Sequence, residues 1–316
     1  MKSTKSKGKA SIIGTGLVGS SAAFALAMSG LVSELVLIDA NKDKAKGEAL
    51  DLNHGLSFFI NMSITSGDFE DVKDSDIIII TAGIAGKPGQ VEADFTEMNV
   101  NIIKDVVPKI MKNYNGGVLL VVSKPVDILT YVVQKLSGLP ENKVIGTGTV
   151  LESSRLRYLL SEHCNMDVKN IHAYIIGEHG ESQFPLWSAT NIAGQKYDDF
   201  CALCTKKCGN AERVRIFNEV KNAGAKIIEL KDATHYAIAM GIVRIVEAVL
   251  KNQNSILTVS SVIKDSYGIN DVALSLPSVV NFNGIERMFN ISLTHEEQDK
   301  LNVSAIKLKE ILRKVM

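Results

Sequence analysis

The stretch Ile175-Ile176-Gly177-Glu178-His179-Gly180-Glu181 sets a histidine in a glycine-bracketed turn at the exit of a short apolar run. A histidine so placed is a poor core filler and a good proton-transfer group, because its ring titrates near neutrality. Upstream, Glu152-Ser153-Ser154-Arg155 puts a carboxylate and a guanidinium at i and i+3 on one helix face. Alone, that pair also reads as a surface ion pair. Beside an imidazole, the carboxylate would fix the ring's tautomer and stabilise imidazolium. The guanidinium would grip a substrate carboxylate through two hydrogen bonds. Hydride chemistry on a 2-oxo acid needs those two groups with a nicotinamide beside them.

The sequence offers a place for that nicotinamide. Gly14-x-Gly16-x-x-Gly19, with Val18 inside it, follows an apolar run and opens a helical pattern. The first glycine permits the tight turn, the second lets a pyrophosphate approach the backbone, and the third lets helix and strand pack closely. The helix N-terminus then presents free N–H groups to the phosphates. The bland alternative is three packing glycines with no ligand. Against it stands Asp39, which closes the next strand twenty residues after Gly19. A carboxylate there accepts from adenosine ribose hydroxyls and repels a 2′-phosphate, so the expected cofactor is NAD.

These groups must be positioned by strands and helices that the pattern also shows. Ala10–Ile13, Glu34–Asp39, Asp76–Thr81, Gly117–Val122 and Val144–Thr147 read as strands; four consecutive isoleucines in the third are typical of a strand buried on both faces. Helical segments such as Gly19–Ser29 and Asn99–Tyr114 lie between them. Strand–helix alternation predicts an α/β fold whose N-terminal half is a doubly wound, Rossmann-type parallel sheet. After about residue 150 the texture changes. Glu152–Ser161, Ala211–Leu230, Ala233–Gln253 and Thr294–Met316 read as helices; Ile171–Ile176, Ile256–Tyr267 and Val279–Ile285 read as strands. We expect residues 1–149 to form the dinucleotide-binding domain, with a flexible tail over 1–9, and residues 150–316 to form an α+β substrate domain.

Composition narrows the partners. The 316 residues carry 35 basic and 35 acidic side chains, so there is no basic field for nucleic acid. No apolar run approaches the ~18–20 residues of a membrane span, and the basic opening lacks a signal peptide's apolar core. Four cysteines in this length suit a reducing compartment, with the cytoplasm as default. Cys201, Cys204 and Cys208 have spacings that align on one helix face, but no histidine nearby completes a metal site; the expected metal is none.

Taken together, the sequence resembles the L-lactate dehydrogenase family of the lactate/malate dehydrogenase superfamily. The resemblance runs from Ala10 to the last helix. Beyond the glycine loop it rests on Gly47-Glu48-Ala49-Leu50-Asp51-Leu52-Asn53-His54-Gly55, Thr81-Ala82-Gly83, Lys87-Pro88-Gly89, Pro125-Val126-Asp127-Ile128-Leu129-Thr130, Gly146-Thr147-Gly148-Thr149-Val150-Leu151 and Gly177-Glu178-His179-Gly180. It implies His179 as proton donor and acceptor, Arg155 as the carboxylate-binding residue and Thr234 at the border of the substrate. It also implies Val122 and Ser123 as nicotinamide contacts, with Gly83 on the cofactor groove. Arg157 and His172 match a pair that binds fructose 1,6-bisphosphate in many bacterial members. A homotetramer is implied as well.

Several positions depart from the family pattern. The mobile-loop arginine that polarises the substrate carbonyl corresponds to Glu92, and no arginine occurs between Gly83 and Asn101. The loop's pyruvate-selective glutamine is Gly86, a position where malate selection would require arginine. The asparagine before Pro125-Val126-Asp127 is Lys124. The dyad's aspartate is Glu152, and the acid after His179-Gly180 is Glu181. Three readings stand open: a lactate dehydrogenase in which Lys124 replaces the lost oxygen-binding groups, a reductase redirected to an amino-bearing 2-oxo acid or a 2-imino acid, and a weakly active or non-catalytic NAD-binding regulatory or structural protein.

Overall fold

The computed structural model describes residues 8–58, 60–84, 92–203 and 209–316. The N-terminal half alternates as the pattern predicts: β1 (Gly8–Ile13), α1 (Leu17–Ser29), β2 (Val32–Ile38), α2 (Lys42–His54), β3 (Ser63–Ser66), β4 (Ile77–Ile80), α3 (Glu92–Asn113), β5 (Val118–Val121), α4 (Val126–Ser137) and β6 (Val144–Gly146). Its six strands pair in parallel in the order β3-β2-β1-β4-β5-β6. That order reverses between β1 and β4, the place where doubly wound sheets bind ligands.

The C-terminal half contains α5 (Val150–Cys164), β7 (Ile171–His172), β8 (Ile175–Ile176), β9 (Phe184–Pro185), β10 (Asn191–Ile192), β11 (Gln195–Lys196), α6 (Tyr197–Leu203), α7 (Asn210–Lys231), α8 (Tyr236–Leu250), β12 (Ser255–Val262), β13 (Ala273–Asn281), β14 (Gly284–Met288) and α9 (His295–Val315). Strands β12, β13 and β14 form an antiparallel meander that continues the parallel sheet past β6, giving nine strands in all.

The isoleucines of β4 show why this sheet is stable. Ile78 and Ile80 pack on one face with residues of α3, α4 and α9. Ile77 and Ile79 pack on the other with residues of α1 and α8. All four are fully buried, and each burial contributes roughly 1.5–3 kcal/mol. Helix α9 starts with a capping box, in which Thr294 and Glu297 exchange side-chain-to-backbone bonds.

The structure corrects several sequence expectations. Gly8 and Lys9, expected in the tail, begin β1, where the Lys9 N–H donates to Asp76 and its ammonium pairs with Glu34. The expected strand Ile171–Ile176 is two strands in different sheets, and Val279–Ile285 spans the hairpin between β13 and β14. Helix α8 begins at Tyr236, because Asp232 adopts a left-handed conformation and Ala233–His235 form a connection. Cys201 lies on α6; Cys204 and Cys208 lie outside the described residues.

Candidate active site

The chemistry-bearing residues gather at the carboxyl ends of the central strands. Gly14 has a φ of +101° and follows β1; a Cβ there would lie 2.7 Å from Ala82 N, so the loops after β1 and β4 meet backbone to backbone. Thr81 after β4 fastens this contact, its hydroxyl donating to Gly14 O at 2.6 Å. Gly16 caps α1 and faces open space, with nothing within 4 Å of a built Cβ. The first N–H groups of α1, including that of Val18, have no partner earlier in the helix. Asp39, after β2, accepts from Thr15 N at 2.6 Å, Thr15 Oγ1 at 3.0 Å and Asn41 N at 2.9 Å. Partial burial raises its acidity constant's pKa, but these hydrogen bonds prevail and hold the carboxyl below its usual range. A glycine cradle, a helix N-terminus and an ionised aspartate fit a dinucleotide.

Gly19 is the position that tolerates least. A Cβ on it would stand 1.9 Å from Gly14 O and 2.9 Å from the Thr81 hydroxyl. Gly19→Ala must therefore push α1 away from β1. We expect a loss of about 1–3 kcal/mol of stability and at least a tenfold weaker NADH complex, measured by urea unfolding and by NADH fluorescence titration.

The wall beside this groove comes from β4 and β5. Val122 and Ser123 are buried, and the Ser123 hydroxyl donates to Ala82 O at 2.6 Å and to Ile80 O at 3.2 Å. Asn99 of α3 links the two strand ends: Ile84 N donates to its Oδ1 at 2.8 Å, while its Nδ2 donates to Lys124 O at 2.7 Å. A Cβ on Gly83 would lie 3.1 Å from that same Asn99 oxygen.

Helix α5 carries the acid–base pair. Its first turn is fixed against β8, with Thr149 Oγ1 donating to Ile175 O at 2.6 Å and Ile175 N donating to Ser153 Oγ at 2.9 Å. This anchoring sets Glu152 against the turn four residues beyond Ile175. Glu152 Oε2 lies 3.1 Å from His179 Nδ1, and Arg155 Nη1 donates to Glu152 Oε1 at 3.1 Å. Burial opposes ionisation of Glu152, but the His179 ring and the Arg155 guanidinium overcome it and lower the carboxyl pKa to about 2. His179 and Arg155 keep 18% and 17% of their side chains accessible, against 3% for Glu152. The carboxylate is thus sealed behind two groups that a substrate can reach.

The His179 turn is held from every side. Its N–H donates to Asp127 Oδ2 of α4 at 2.6 Å, and Ser260 Oγ of β12 donates to the other carboxylate oxygen at 2.5 Å. Complete burial pushes Asp127 up to about 6, although both bonds pull it down. Glu178 accepts from Ser182 N, Ser182 Oγ and Lys307 of α9. Glu181 pairs with Lys221 of α7 at 2.5 Å. In the sequence Asp127 stands out only as a motif residue, and the fold shows its task. A carboxylate inside the apolar run Val126–Val133 was the available signal.

Other expected positions are less closely joined to this cluster. Thr234 is half-buried in the connection between α7 and α8, which is docked to α1 by a 2.8 Å contact between His235 Nδ1 and Ser21 Oγ. Arg157 faces away from Glu152, its Nε donating to Ser153 O and its pKa lowered by burial with Tyr174 and Arg244 nearby. His172 is exposed on β7, and no hydrogen bond joins it to Arg157 among the described residues. Glu92 opens α3, but its side chain and all of Gly86 lie outside the described residues. Among the described residues no group of histidines, cysteines and carboxylates could hold a metal ion.

Comparison with known proteins agrees with this geometry. Residues 8–146 match the NAD-binding domain of lactate/malate dehydrogenase, and residues 149–316 match the alpha/beta C-terminal domain of the same enzymes. L-lactate dehydrogenase 1 of Clostridium acetobutylicum is 51% identical, with 98% of each chain covered. The chain belongs to the L-lactate dehydrogenase family. An L-lactate dehydrogenase of a Thermoanaerobacter species is 52% identical over 97% of this chain and 99% of its own. Among solved structures, MGS-M5, a lactate dehydrogenase enzyme from a Medee basin deep-sea metagenome library, has a TM-score of 0.95 at 41% identity, covering 98% of this chain and 99% of its own. The minor L-lactate dehydrogenase of Enterococcus mundtii has a TM-score of 0.94 at 38% identity, with the same coverage. NAD(H) is the cofactor of this family's N-terminal domain. The redirected and non-catalytic readings give way to NAD-dependent interconversion of pyruvate and lactate, since half-identical relatives over nearly the whole length are L-lactate dehydrogenases.

Proposed function

We propose that the chain interconverts pyruvate and L-lactate with NAD(H), residues 1–149 binding the dinucleotide and residues 150–316 the substrate. The observation that carries this reading is the arrangement of His179, Glu152 and Arg155, joined by two 3.1 Å contacts. Bound NADH supplies the hydride. Gly14, Gly16, Val18 and Gly19 hold its pyrophosphate, Asp39 its adenosine ribose, and Gly83, Val122 and Ser123 line the path of its nicotinamide. Arg155 uses the free part of its guanidinium to grip the substrate carboxylate. Protonated His179, supported by Glu152 through Nδ1, gives its Nε2 proton to the carbonyl oxygen. Lys124 and Thr234 line the substrate side.

Association into a homotetramer is part of this proposal. Leu17, Phe24 and Met28 on α1 and Tyr236 and Met240 on α8 are exposed apolar side chains on two helices that pack together. Their exposure supports burial against another copy. Arg157 and His172 are the proposed pair for fructose 1,6-bisphosphate, and the cytoplasm is the proposed location. Among the described residues no helix is long and apolar enough to cross a membrane.

The test is NADH oxidation with pyruvate, with and without fructose 1,6-bisphosphate, alongside NADPH and a panel of amino-bearing 2-oxo acids. We expect pyruvate and NADH to give the highest kcat/KM, rising with the bisphosphate, and light scattering to report four copies. Failure to turn over pyruvate while turning over an amino-bearing acid would refute the assignment.

A further inference from the structure

The C-terminal helix also fastens the His179 turn, and the register of that helix is fixed at its start. Glu297, in the first turn of α9, accepts from Thr294 N at 2.9 Å, Ser188 N at 3.1 Å and Ser188 Oγ at 2.7 Å. Leu301, Ala305, Leu308 and Leu312 then bury one face of the helix in the cluster that holds Ile176 of β8 and Phe184 of β9. Ser304 and Lys307 lie one turn apart on α9 and reach the two flanks of His179. Ser304 is fully buried and directs its hydroxyl to Ser182 O and Ser182 Oγ, each at 2.9 Å. Lys307 Nζ donates to Glu178 Oε2 at 3.0 Å.

The glycines that bracket the histidine leave room for this approach. A Cβ on Gly177, whose φ is +93°, would lie 2.8 Å from Ser304 Oγ. A Cβ on Gly180 would lie 2.8 Å from Glu178 Cδ, so the Glu178 side chain folds back over its own turn. Glu178 is buried, and besides Lys307 it accepts from Ser182 N at 3.0 Å and Ser182 Oγ at 2.5 Å. A charge so enclosed is weakly screened by solvent.

Three carboxylates thus stand around one imidazole. Glu152 faces its Nδ1 and is balanced by Arg155 of α5. Asp127 of α4 holds its backbone N–H, with Ser260 of β12 as the other donor. Glu178 is balanced by Lys307, the one cation bonded to it among the described residues. Of the remaining charges nearby, Glu181 pairs with Lys221 of α7 at the solvent surface, and Lys124 acts on Glu152 and Arg155. Strands β8, β9, β12 and β13 carry no titratable side chain.

We infer that Lys307 is a positioning residue for the proton transfer: through Glu178 it clamps the His179 turn to α9, and its charge offsets one of the three carboxylates that favour imidazolium. This inference rests on the pyruvate reading above. Pyruvate reduction consumes the imidazolium proton, so its rate falls as pH rises and the ring loses that proton. Without Lys307, the uncompensated Glu178 charge favours imidazolium and moves this falling limb to higher pH. Without the Glu178 charge, Lys307 disfavours imidazolium and moves the limb to lower pH. Either change frees the turn from α9, and a proton donor out of place transfers more slowly.

The experiment records kcat/KM for pyruvate against pH, at saturating NADH, for wild type, Lys307→Met, Lys307→Arg and Glu178→Gln. For Lys307→Met we expect a fall of about tenfold in kcat/KM, an upward move of the limb by about half a pH unit, and unchanged NADH affinity. Glu178→Gln keeps an oxygen for Ser182 and should move the limb downward by a similar amount. Lys307→Arg keeps the charge and should restore both rate and limb. The inference falls if Lys307→Met loses rate with an unmoved limb, as a merely structural contact would, or if it stays within twofold of wild type. It also falls if arginine fails to restore the limb. Should Lys307→Met not fold, Glu178→Gln decides alone, and a limb that stays or rises overturns the inference. Wild-type enzyme that does not reduce pyruvate would instead overturn the pyruvate reading, and this inference with it.

Discussion

His179→Asn should retain NADH binding and lose at least 10²–10⁴ in kcat for pyruvate reduction, the usual contribution of a positioned general acid. Asparagine suits this test because its amide nitrogen can still donate toward Glu152, which sits 3.1 Å from the His179 ring nitrogen. The buried carboxylate then keeps a second partner besides Arg155, and the fold is spared the cost of stranding a charge. The backbone N–H that bonds Asp127 is also preserved. What disappears is the titrating nitrogen on the far side of the ring. Steady-state kinetics and NADH fluorescence titration check the two halves of this expectation, and a variant within tenfold of wild-type kcat would remove His179 from the mechanism.

Glu152→Gln carries the second large effect, for a geometric reason. Glu152 accepts from Arg155 with one oxygen and faces His179 with the other. An amide has one oxygen and one NH2 group, so it can accept from only one of those donors. Either Arg155 faces an opposed donor and loses its aim at the substrate, or His179 is left with the wrong tautomer. We expect kcat/KM for pyruvate to fall about 10³–10⁴-fold, as when the carboxylate of a similar acid–imidazole pair becomes an amide.

The same substitution should alter acid stability, and the sign follows from the direction of the shift. The folded pKa of Glu152, about 2, lies below its ordinary value of 4.5. Its stabilisation is therefore fully present above pH 4.5 and disappears as pH falls toward 2. The shift corresponds to roughly 3 kcal/mol. Urea unfolding of wild type should lose that increment between pH 4.5 and 2 in addition to other acid effects, and Glu152→Gln should lack it. Parallel curves for the two proteins across this window would contradict the assignment.

The sequence revealed elements best where burial dictated residue type. Four adjacent isoleucines announced β4 because both of its faces are covered. Strand β3 carries no such mark: Ser63-Ile64-Thr65-Ser66 is a sheet edge with only Ile64 buried, held partly by Asn53 donating to Ile64 O. The site followed the same logic. His179, Glu152, Arg155 and the glycine loop show themselves because local spacing carries their chemistry. Asp127 and Asn99 act on backbone groups 52 and 25 residues away. No local pattern encodes such partners, and only the assembled sheet brings them together.

The antiparallel meander meets the parallel strands along a narrow seam, where Ser260 of β12 pairs with Gly146 of β6. The same serine's hydroxyl reaches Asp127, and so the turn that bears the imidazole. Module swapping in this scaffold therefore has a hidden joint. A chimera that grafts a foreign nucleotide-binding half onto residue 150 must match that edge strand and supply an aspartate at the position of Asp127. A mismatched graft would bare two strand edges to intermolecular pairing and unseat the proton donor, even with every reactive side chain present.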